Sequence, residues 1–278
     1  MPGEAINKND ENKIIPSSTV LIIRDGVSGL EVFMVVRHHQ IDFAAGALVF
    51  PGGKVDKSDY DKKLNQHLCE EENSDRESIP FKIAAIRECF EEANVLFAKN
   101  KDKKEIISSD ELFKLKKWRD AFINESTSMY EFARLENLLF SIDALIPFSH
   151  WVTPEKMQKR FDTRFYIAVA PKGHEGQHDG NESVDSIWIN PQQALDDCLS
   201  EKRNIIFPTR LNLEKLNQSK TVAEAINNAK NSNIVTVTPL IEKLDEGIFI
   251  TIPKEAGYGE IKEVINHQRA SIEEKVTQ

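Results

Sequence analysis

The sequence has few cysteines, no long apolar run and no excess of basic residues. Its three cysteines, Cys69, Cys89 and Cys198, form neither a paired framework nor a CxxC ligand set, which excludes a disulfide scaffold and suits a reducing compartment. The longest apolar runs, such as residues 44–50, are too short to span a bilayer. With 36 Lys and Arg against 45 Asp and Glu, the net charge of −9 argues against a nucleic-acid footprint, which needs clustered basic residues. We expect neither a membrane nor a nucleic acid as partner.

The length and composition are those of a globular protein. The 278 residues are 40% hydrophobic and 29% charged, enough for one large domain or for one domain with extensions. Residues 1–13 are polar and without periodicity, which predicts a disordered tail that lacks the apolar core of a signal peptide. We therefore expect a cytoplasmic protein with a main domain over residues 14–200. Residues 201–278 are expected to form a C-terminal extension packed on that domain.

The first ordered segment predicts a β-hairpin followed by a sharp turn. Residues 19–23 and 30–36 have strand character and are separated by a segment rich in turn-forming residues. A third extended run, residues 47–50, meets Pro51 and two glycines, Gly52 and Gly53, which permit a tight backbone geometry.

Residues 80–93 predict an amphipathic helix. Pro80 suits the first turn, and Asn94 follows where a left-handed C-cap residue is often required. Helical spacing sets apolar Ile83, Ile86 and Phe90 against acidic Glu88, Glu91 and Glu92. Like charges three and four residues apart repel by roughly 0.2–0.5 kcal/mol per pair. The acidic face is either simply solvated or binds a hard divalent cation. Because its ligands would all be oxygens, that cation would be Mg²⁺ or Mn²⁺.

Two segments read as insertions into this framework. Residues 57–78 are highly charged, which predicts a peripheral surface excursion with little core. Residues 100–140 predict a helical insertion that opens on a capping box from Ser108 to Glu111. Further strands are predicted at residues 144–147, 162–170 and 186–190, and helices from Pro191 and over residues 221–229.

The order of these features resembles the Nudix box. Gly53 lies at the end of a predicted strand, and residues 87–95 further along read RECFEEANV. The Nudix box reads Gly, five residues, Glu, seven residues, then Arg-Glu-aliphatic-any-Glu-Glu-any-Gly-aliphatic. The resemblance implies an α/β fold, a Nudix-type α/β/α sandwich with a mixed β-sheet, carrying helical insertions and a C-terminal extension. It also implies a metal-dependent hydrolase that cleaves a diphosphate linkage.

The box is interrupted in this chain. Gly53 and Arg87 are separated by 33 residues, whereas the box has 13. Counting back eight positions from Arg87 reaches Ile79, so the first Glu of the box has no aligned counterpart, and Glu77 is a displaced candidate. Asn94 replaces the last Gly, and Cys89 replaces an aliphatic residue.

An interrupted box resembles a subgroup of coenzyme A diphosphatases, and the similarity extends over residues 46–56, 81–98, 149–170 and 179–195. A second subgroup of coenzyme A diphosphatases has an Arg four residues before the Gly that corresponds to Gly46, whereas this chain has Asp42 there. The chain therefore matches the pattern of that subgroup only in part. Coenzyme A or acyl-coenzyme A is the first candidate substrate. Alternative substrates are NADH, ADP-ribose or a nucleotide sugar. Alternative functions are those of an inactive Nudix-like ligand-binding protein and of a scaffold that binds partners through residues 100–140. The expected partner is a small-molecule diphosphate, with the oligomeric state left open.

The resemblance also implies roles for single residues. The catalytic set is Arg87, Glu88, Glu91 and Glu92, in which Arg87 holds the carboxylates and Glu88 or Glu92 helps to activate water. The metal ligands are Glu88, Glu91, Glu92 and the Gly53 carbonyl, and the cofactor is Mg²⁺ or Mn²⁺. The candidates for substrate binding are Arg37, Phe50, Arg160, Arg164 and Glu182. Glycines around His174 and His178 predict a flexible loop and argue against a two-histidine metal site.

Overall fold

The computed structural model describes residues 14–39, 44–69, 75–155, 157 and 159–264. The predicted tail, residues 1–13, and Asp42 lie outside the described residues.

The described chain forms an ordered series of strands and helices. The strands are β1 (Ile14–Gly26), β2 (Gly29–Arg37), β3 (Leu48–Val49), β4 (Gly52–Lys54), β5 (Ala98–Asn100), β6 (Leu138–Phe140), β7 (Ile146–Val152), β8 (Arg160–Val169), β9 (Ser183–Ile189), β10 (Thr236–Val237), β11 (Leu240–Leu244), β12 (Gly247–Thr251) and β13 (Lys262–Val264). The helices are α1 (Ile79–Ala93), α2 (Ser109–Lys114), α3 (Lys116–Ile123), α4 (Met129–Leu135), α5 (Pro191–Leu199), α6 (Phe207–Leu216) and α7 (Val222–Asn231).

The main sheet is mixed and is built around β1. Its path runs β10-β7-β8-β1-β2-β3, and β4 and β9 also pair with β1 and β2. β1 is parallel to β8, whereas it is antiparallel to β2 and β4. The separate sheet β11-β12-β13 follows in the C-terminal region. The predicted α/β class is confirmed.

Each face of the main sheet has its own hydrophobic core. Val20 and Ile22 of β1 belong to the core that contains α1, α3 and α4, whereas Leu21 and Ile23 belong to the core that contains α5, α6 and α7. A strand buried on both faces is apolar throughout, which explains the unbroken run Val20 to Ile23. The predicted α/β/α sandwich is therefore confirmed.

The hairpin and the amphipathic helix form as the sequence predicts. β1 and β2 pair up to Gly26 and Gly29, so the turn is only two residues long. Helix α1 ends at Ala93, and its C-cap residue Asn94 adopts the left-handed conformation with φ 52°. The third extended run is shorter than predicted, since β3 covers only Leu48–Val49.

The charged excursion after Gly53 is not peripheral, which corrects the prediction for its first part. Two 3-10 helices, Lys57–Tyr60 and Lys62–His67, fold it back against the domain. Leu64 is fully buried in the core, and the buried ring of His67 lies with Nδ1 3.0 Å from the Leu138 carbonyl oxygen. Short 3-10 helices have no extended hydrophobic periodicity, so the sequence of this segment shows only its high charge, which predicts a surface location. Residues 70–74 of the excursion lie outside the described residues.

The C-terminal region contacts the main sheet through α6, α7 and the segment after β12. Ala256 belongs to the same core as Leu211 and Ala229, and Tyr258 packs at its edge. The boundary predicted at residue 200 stays a prediction. None of the helices in the described part of the chain has the length and apolar character needed to cross a membrane.

If the first part of the excursion belongs to the core, Leu64→Ala should lower the free energy of unfolding by about 2–5 kcal/mol, because it leaves a cavity. Gln66→Ala, at an exposed position in the same 3-10 helix, should change it by at most about 0.5 kcal/mol. Urea titrations of both variants measure the difference. Equal stabilities would show that the excursion does not contribute to the core.

Candidate active site

The Arg87 side chain is buried at the centre of the predicted site and makes charged hydrogen bonds. Its Nε and Nη2 donate to the two Asp59 carboxylate oxygens at 3.2 and 3.0 Å. Nη1 donates to Glu88 Oε1 at 2.9 Å and to Glu91 Oε1 at 3.3 Å, and Nη2 also donates to the Lys54 carbonyl at 2.8 Å. The guanidinium thus ties helix α1 to the residues that follow the glycine turn.

Asp59 is a site residue that the sequence analysis missed. Counting back from Arg87 for the first Glu of the box reaches Ile79, with Glu77 as a displaced candidate. Glu77 instead lies exposed in a separate 3-10 helix. Counting forward from Gly53 leaves five residues before Asp59, which is the spacing of the box with Asp in place of Glu. The extra residues therefore follow Asp59, and they leave its contact with Arg87 intact.

Glu92 lies on the other side of the cluster and is buried. The Gly52 amide donates to Glu92 Oε2 at 2.9 Å. Neither glycine of the turn could carry a side chain without a shift. A Cβ on Gly52 would lie 2.3 Å from the Ser18 carbonyl oxygen, and one on Gly53 would lie 2.4 Å from Glu88 Oε1. The two glycines therefore permit the close approach of β4 to β1 and to the acidic face of α1.

Burial of these groups shifts their protonation equilibria. Desolvation raises the pKa of Glu92 to about 8 and that of Glu91 to about 7, against an ordinary value of 4.5. The pKa of Glu88 is also raised by burial, although Arg87 opposes that shift. Burial alone would lower the pKa of Arg87, but Glu88 and Asp59 outweigh it and raise the pKa. The acidic face is therefore a set of crowded, desolvated carboxyl groups.

A hard cation fits the chemistry of this donor set. All the available donors are oxygens, as such a cation prefers, and its charge would offset the repulsion among the three glutamates. In the described part of the chain, no three His, Cys, Asp or Glu side chains are arranged to hold a metal ion as they stand. Glu88 and Glu91 are directed to Arg87, and Glu92 to Gly52. The ligand roles of these residues and of the Gly53 carbonyl stay predictions.

These residues line one end of a cavity of about 2000 Å³. Of the predicted substrate-binding residues, Arg37, Phe50 and Glu182 also line it. The Arg37 Nε atom is buried and has no hydrogen-bond partner among the described residues. The largest effects on the pKa of Glu92 are burial, which raises it, and the Gly52 hydrogen bond, which lowers it. The charge of Arg37 lowers this pKa further, whereas the charge of Glu182 raises it.

Arg160 and Arg164, also predicted to bind substrate, do not line the cavity. The Arg164 guanidinium lies 4.0 Å from the centre of the Phe81 ring and 3.9 Å from an Asp75 oxygen. Arg160 Nε donates to the Thr153 carbonyl at 3.1 Å. Alternate residues of a strand point to opposite faces, so the cavity receives the odd-numbered residues of β8 and not these two arginines. Their assignment as substrate-binding residues stays a prediction, which this geometry does not favour.

The two histidines of the glycine-rich loop have separate surroundings. His174 is buried with Nε2 3.0 Å from the Ile107 carbonyl oxygen, whereas His178 Nδ1 lies 3.1 Å from the Ser186 hydroxyl. Each histidine thus has its own hydrogen-bond partner within the described part of the chain.

The comparisons with known proteins agree with this arrangement. The family model described as the NUDT19 Nudix domain matches residues 64–216, more than half of the chain. The acyl-coenzyme A diphosphatase NUDT19 of Xenopus laevis is 26% identical over 279 residues, covering 85% of this chain and 73% of that protein. A putative nudix hydrolase 7 of Caenorhabditis elegans is 31% identical over 189 residues, covering 68% of this chain and 56% of its own length. The crystal structure of a NUDIX hydrolase from Alicyclobacillus acidocaldarius aligns with a TM-score of 0.63 at 26% identity, covering 78% of this chain and 96% of that one.

If Asp59 holds Arg87, Asp59→Asn should lower the free energy of unfolding by about 1–3 kcal/mol, since two hydrogen bonds between charged groups are weakened while Glu88 and Glu91 still neutralise Arg87. Asp110→Asn, at an exposed position of α2, is the matched control. Urea unfolding measures both variants. A loss no larger than that of the control would contradict the role given to Asp59.

The raised pKa values predict how stability depends on pH without metal. A carboxyl group whose folded pKa is raised to about 7 or 8 stabilises the fold fully below its unfolded pKa, near 4.5. That contribution is lost as pH rises through 7 to 8, with a slope of about 1.4 kcal/mol per pH unit for each differing proton. Unfolding free energies in chelator should therefore fall from pH 5 to 8, and Glu92→Gln should flatten the decline. An unchanged slope in the variant would contradict the shift assigned to Glu92.

Proposed function

This chain belongs to the NUDT19 Nudix family, within the Nudix hydrolases, and from that premise we propose that it is a metal-dependent diphosphatase acting on coenzyme A or acyl-coenzyme A. One observation carries the proposal. Arg87, held by Asp59, lies beside three desolvated glutamates at the end of a cavity of about 2000 Å³. A buried cluster of like charges opening on a cavity is the arrangement expected of a catalytic site.

The acidic groups would repel a diphosphate unless a cation lay between them. A Mg²⁺ or Mn²⁺ ion held there would neutralise phosphoryl charge and would favour deprotonation of the attacking water. In this proposal Glu88, Glu91, Glu92 and the Gly53 carbonyl hold the cation. Arg87 orients Glu88 and Glu91 through the hydrogen bonds described above. Either Glu88 or Glu92 would accept a proton from the attacking water.

Arg37 is proposed to contact a phosphate of the substrate. Its buried Nε lacks a hydrogen-bond partner among the described residues, and it faces the cavity close enough to Glu92 to influence the pKa of that group. A guanidinium can donate two parallel hydrogen bonds to a phosphate. Glu182 lies across the same end, where its backbone carbonyl accepts from the His38 amide at 2.7 Å. We propose that Glu182, which follows the box in the sequence, adds a further carboxylate to this end of the cavity and that Phe50 contacts the substrate.

Two observations support a coenzyme A compound as substrate. The Xenopus laevis relative is described as an acyl-coenzyme A diphosphatase. The cavity, at about 2000 Å³, exceeds the range of roughly 300–1,000 Å³ common for small ligands, so it has room for a substrate of that size. NADH, ADP-ribose and nucleotide sugars are alternative diphosphates. An inactive ligand-binding role is disfavoured because such a protein has no need of three desolvated glutamates in one place. A cytoplasmic location stays a prediction.

The proposal is tested with a panel of coenzyme A, decanoyl-coenzyme A, NADH, ADP-ribose and a nucleotide sugar, each with Mg²⁺, with Mn²⁺ and with chelator. Mass spectrometry of the products should show cleavage of the diphosphate into two phosphate-bearing fragments. Chelator should abolish it, since the glutamates alone repel the substrate. Full activity in excess chelator would contradict the metal assignment, and no cleavage of any compound would contradict the diphosphatase.

The matched variants are Glu92→Gln and Glu131→Gln, the latter at an exposed position of α4. Loss of one key electrostatic group is expected to cost roughly 2.7–4 kcal/mol in the transition state, so Glu92→Gln should lower turnover at least about a hundredfold. Circular dichroism checks that both variants are folded. Turnover and metal requirement equal to those of the control would remove Glu92 from the site.

A further inference from the structure

The cavity extends well beyond the glutamates into a second part, which we call the apolar arm. It is lined by Trp151, Phe165, Phe207, Ile241, Ile250 and Val264. These side chains come from β7 and β8 of the main sheet, from α6 and from the C-terminal sheet β11-β12-β13. Apolar side chains gathered from separate elements around one cavity are typical of a ligand site.

The register of the main sheet connects the apolar arm to the catalytic end. Lys54, next to Gly53 in β4, pairs with Ser17 of β1, which pairs with Thr163 of β8 and so with Trp151 of β7. All four line the cavity. Neighbouring strands lie about 4.8 Å apart, so three steps put Trp151 about 14 Å from the β4 strand. A chain attached to a diphosphate at Gly53 can follow this floor into the apolar arm.

Trp151 forms a fixed wall at the far end of that floor. Its indole Nε1 donates to Tyr258 Oη at 3.1 Å, and Tyr258 Oη donates to Asn212 Oδ1 at 2.8 Å. The Trp151 ring also meets the Phe207 ring edge to face, with centroids 6.1 Å apart. Because its polar atom is already satisfied, Trp151 offers only apolar surface to a ligand.

The outer wall of the apolar arm is held by an ion pair. Arg210 Nη2, on α6, donates to both Glu263 carboxylate oxygens at 2.8 and 2.6 Å, and both residues line the cavity. One guanidinium nitrogen thus contacts both carboxylate oxygens, while Nη1 of the same guanidinium donates to Glu214. The pair thus fastens β13, and with it the C-terminal sheet, to α6.

We propose that the apolar arm binds the acyl chain of an acyl-coenzyme A and that the Arg210–Glu263 pair positions its outer wall. The inference rests on the proposed function for the catalytic end of the same cavity. It also discriminates among the candidate substrates. NADH, ADP-ribose and nucleotide sugars would place hydroxyl-rich groups against the six apolar side chains of the arm, which offer them no hydrogen-bond partners. An acyl chain has no such groups.

Kinetics on coenzyme A and decanoyl-coenzyme A, with the metal present, test the proposal. The measured quantity is the ratio of kcat/KM for the acylated to the free compound. Ile250→Trp, which fills the arm, should lower that ratio at least tenfold, chiefly through KM. Glu263→Gln, which keeps the shape but weakens the ion pair, should lower it about threefold. Glu242→Gln, at an exposed position of β11, is the control and should leave it unchanged. Near-ultraviolet circular dichroism and Tm check the fold of each variant.

Calorimetric binding of the two compounds in chelator separates this inference from the proposed function. Wild-type protein should bind decanoyl-coenzyme A at least tenfold more tightly than coenzyme A, and Ile250→Trp should remove most of that difference. Equal binding of both compounds, or a ratio unmoved by Ile250→Trp, would overturn the apolar arm as an acyl site even if hydrolysis were observed. Tighter binding of the acylated compound without any hydrolysis would support the arm and overturn the diphosphatase instead.

Discussion

The buried guanidinium of Arg87 is the interaction on which the local structure depends. A desolvated charge is tolerated only when paired and hydrogen-bonded, and Arg87 draws its partners from three places. Lys54 belongs to the strand after the glycine turn, Asp59 to the first 3-10 helix, and Glu88 and Glu91 to α1 itself. The charged excursion must therefore fold back after Gly53 before it leaves again. The helix face that looks polar in sequence is buried for the same reason.

Hydrophobic periodicity and cap residues are local signals, and they sufficed for β1, β2, α1 and the left-handed Asn94. The pairing of Asp59 with Arg87 depends instead on a contact across 28 positions, and the composition between them indicates only a solvated loop. Spacing from Gly53 contained that information, but counting from Arg87 crossed the insertion. The two arginines of β8 show another limit, since which face of the strand meets the cavity is set by pairing with β1 and not by the strand's own sequence.

The glutamates of α1 are unfavourable where they lie, since burial and mutual repulsion oppose their ionisation. Such an arrangement persists because the surrounding structure holds it. Helix α1 presents Ile83, Ile86 and Phe90 to the core, and Phe90 stacks on Phe132 of the helical insertion with ring centroids 5.5 Å apart. The 100–140 segment, considered from sequence as a surface for partners, thus contributes buried side chains behind the catalytic helix. This apolar packing compensates for the electrostatic cost on the opposite face.

The two extensions of the basic fold act on different ends of one cavity. The excursion after Gly53 supplies Asp59, which holds Arg87 at the catalytic end, whereas the C-terminal sheet supplies Ile241 and Ile250 to the apolar arm. In the described part of the chain, the side-chain hydrogen bonds of β11-β12-β13 go to Arg210 of α6 and not to Arg87 or its partners. The C-terminal sheet also lies outside residues 64–216, the range that matches the family model. Changes in that sheet can therefore alter which group occupies the apolar arm while the charge network around Arg87 keeps its geometry, because Arg87 draws its partners from β4, the first 3-10 helix and α1.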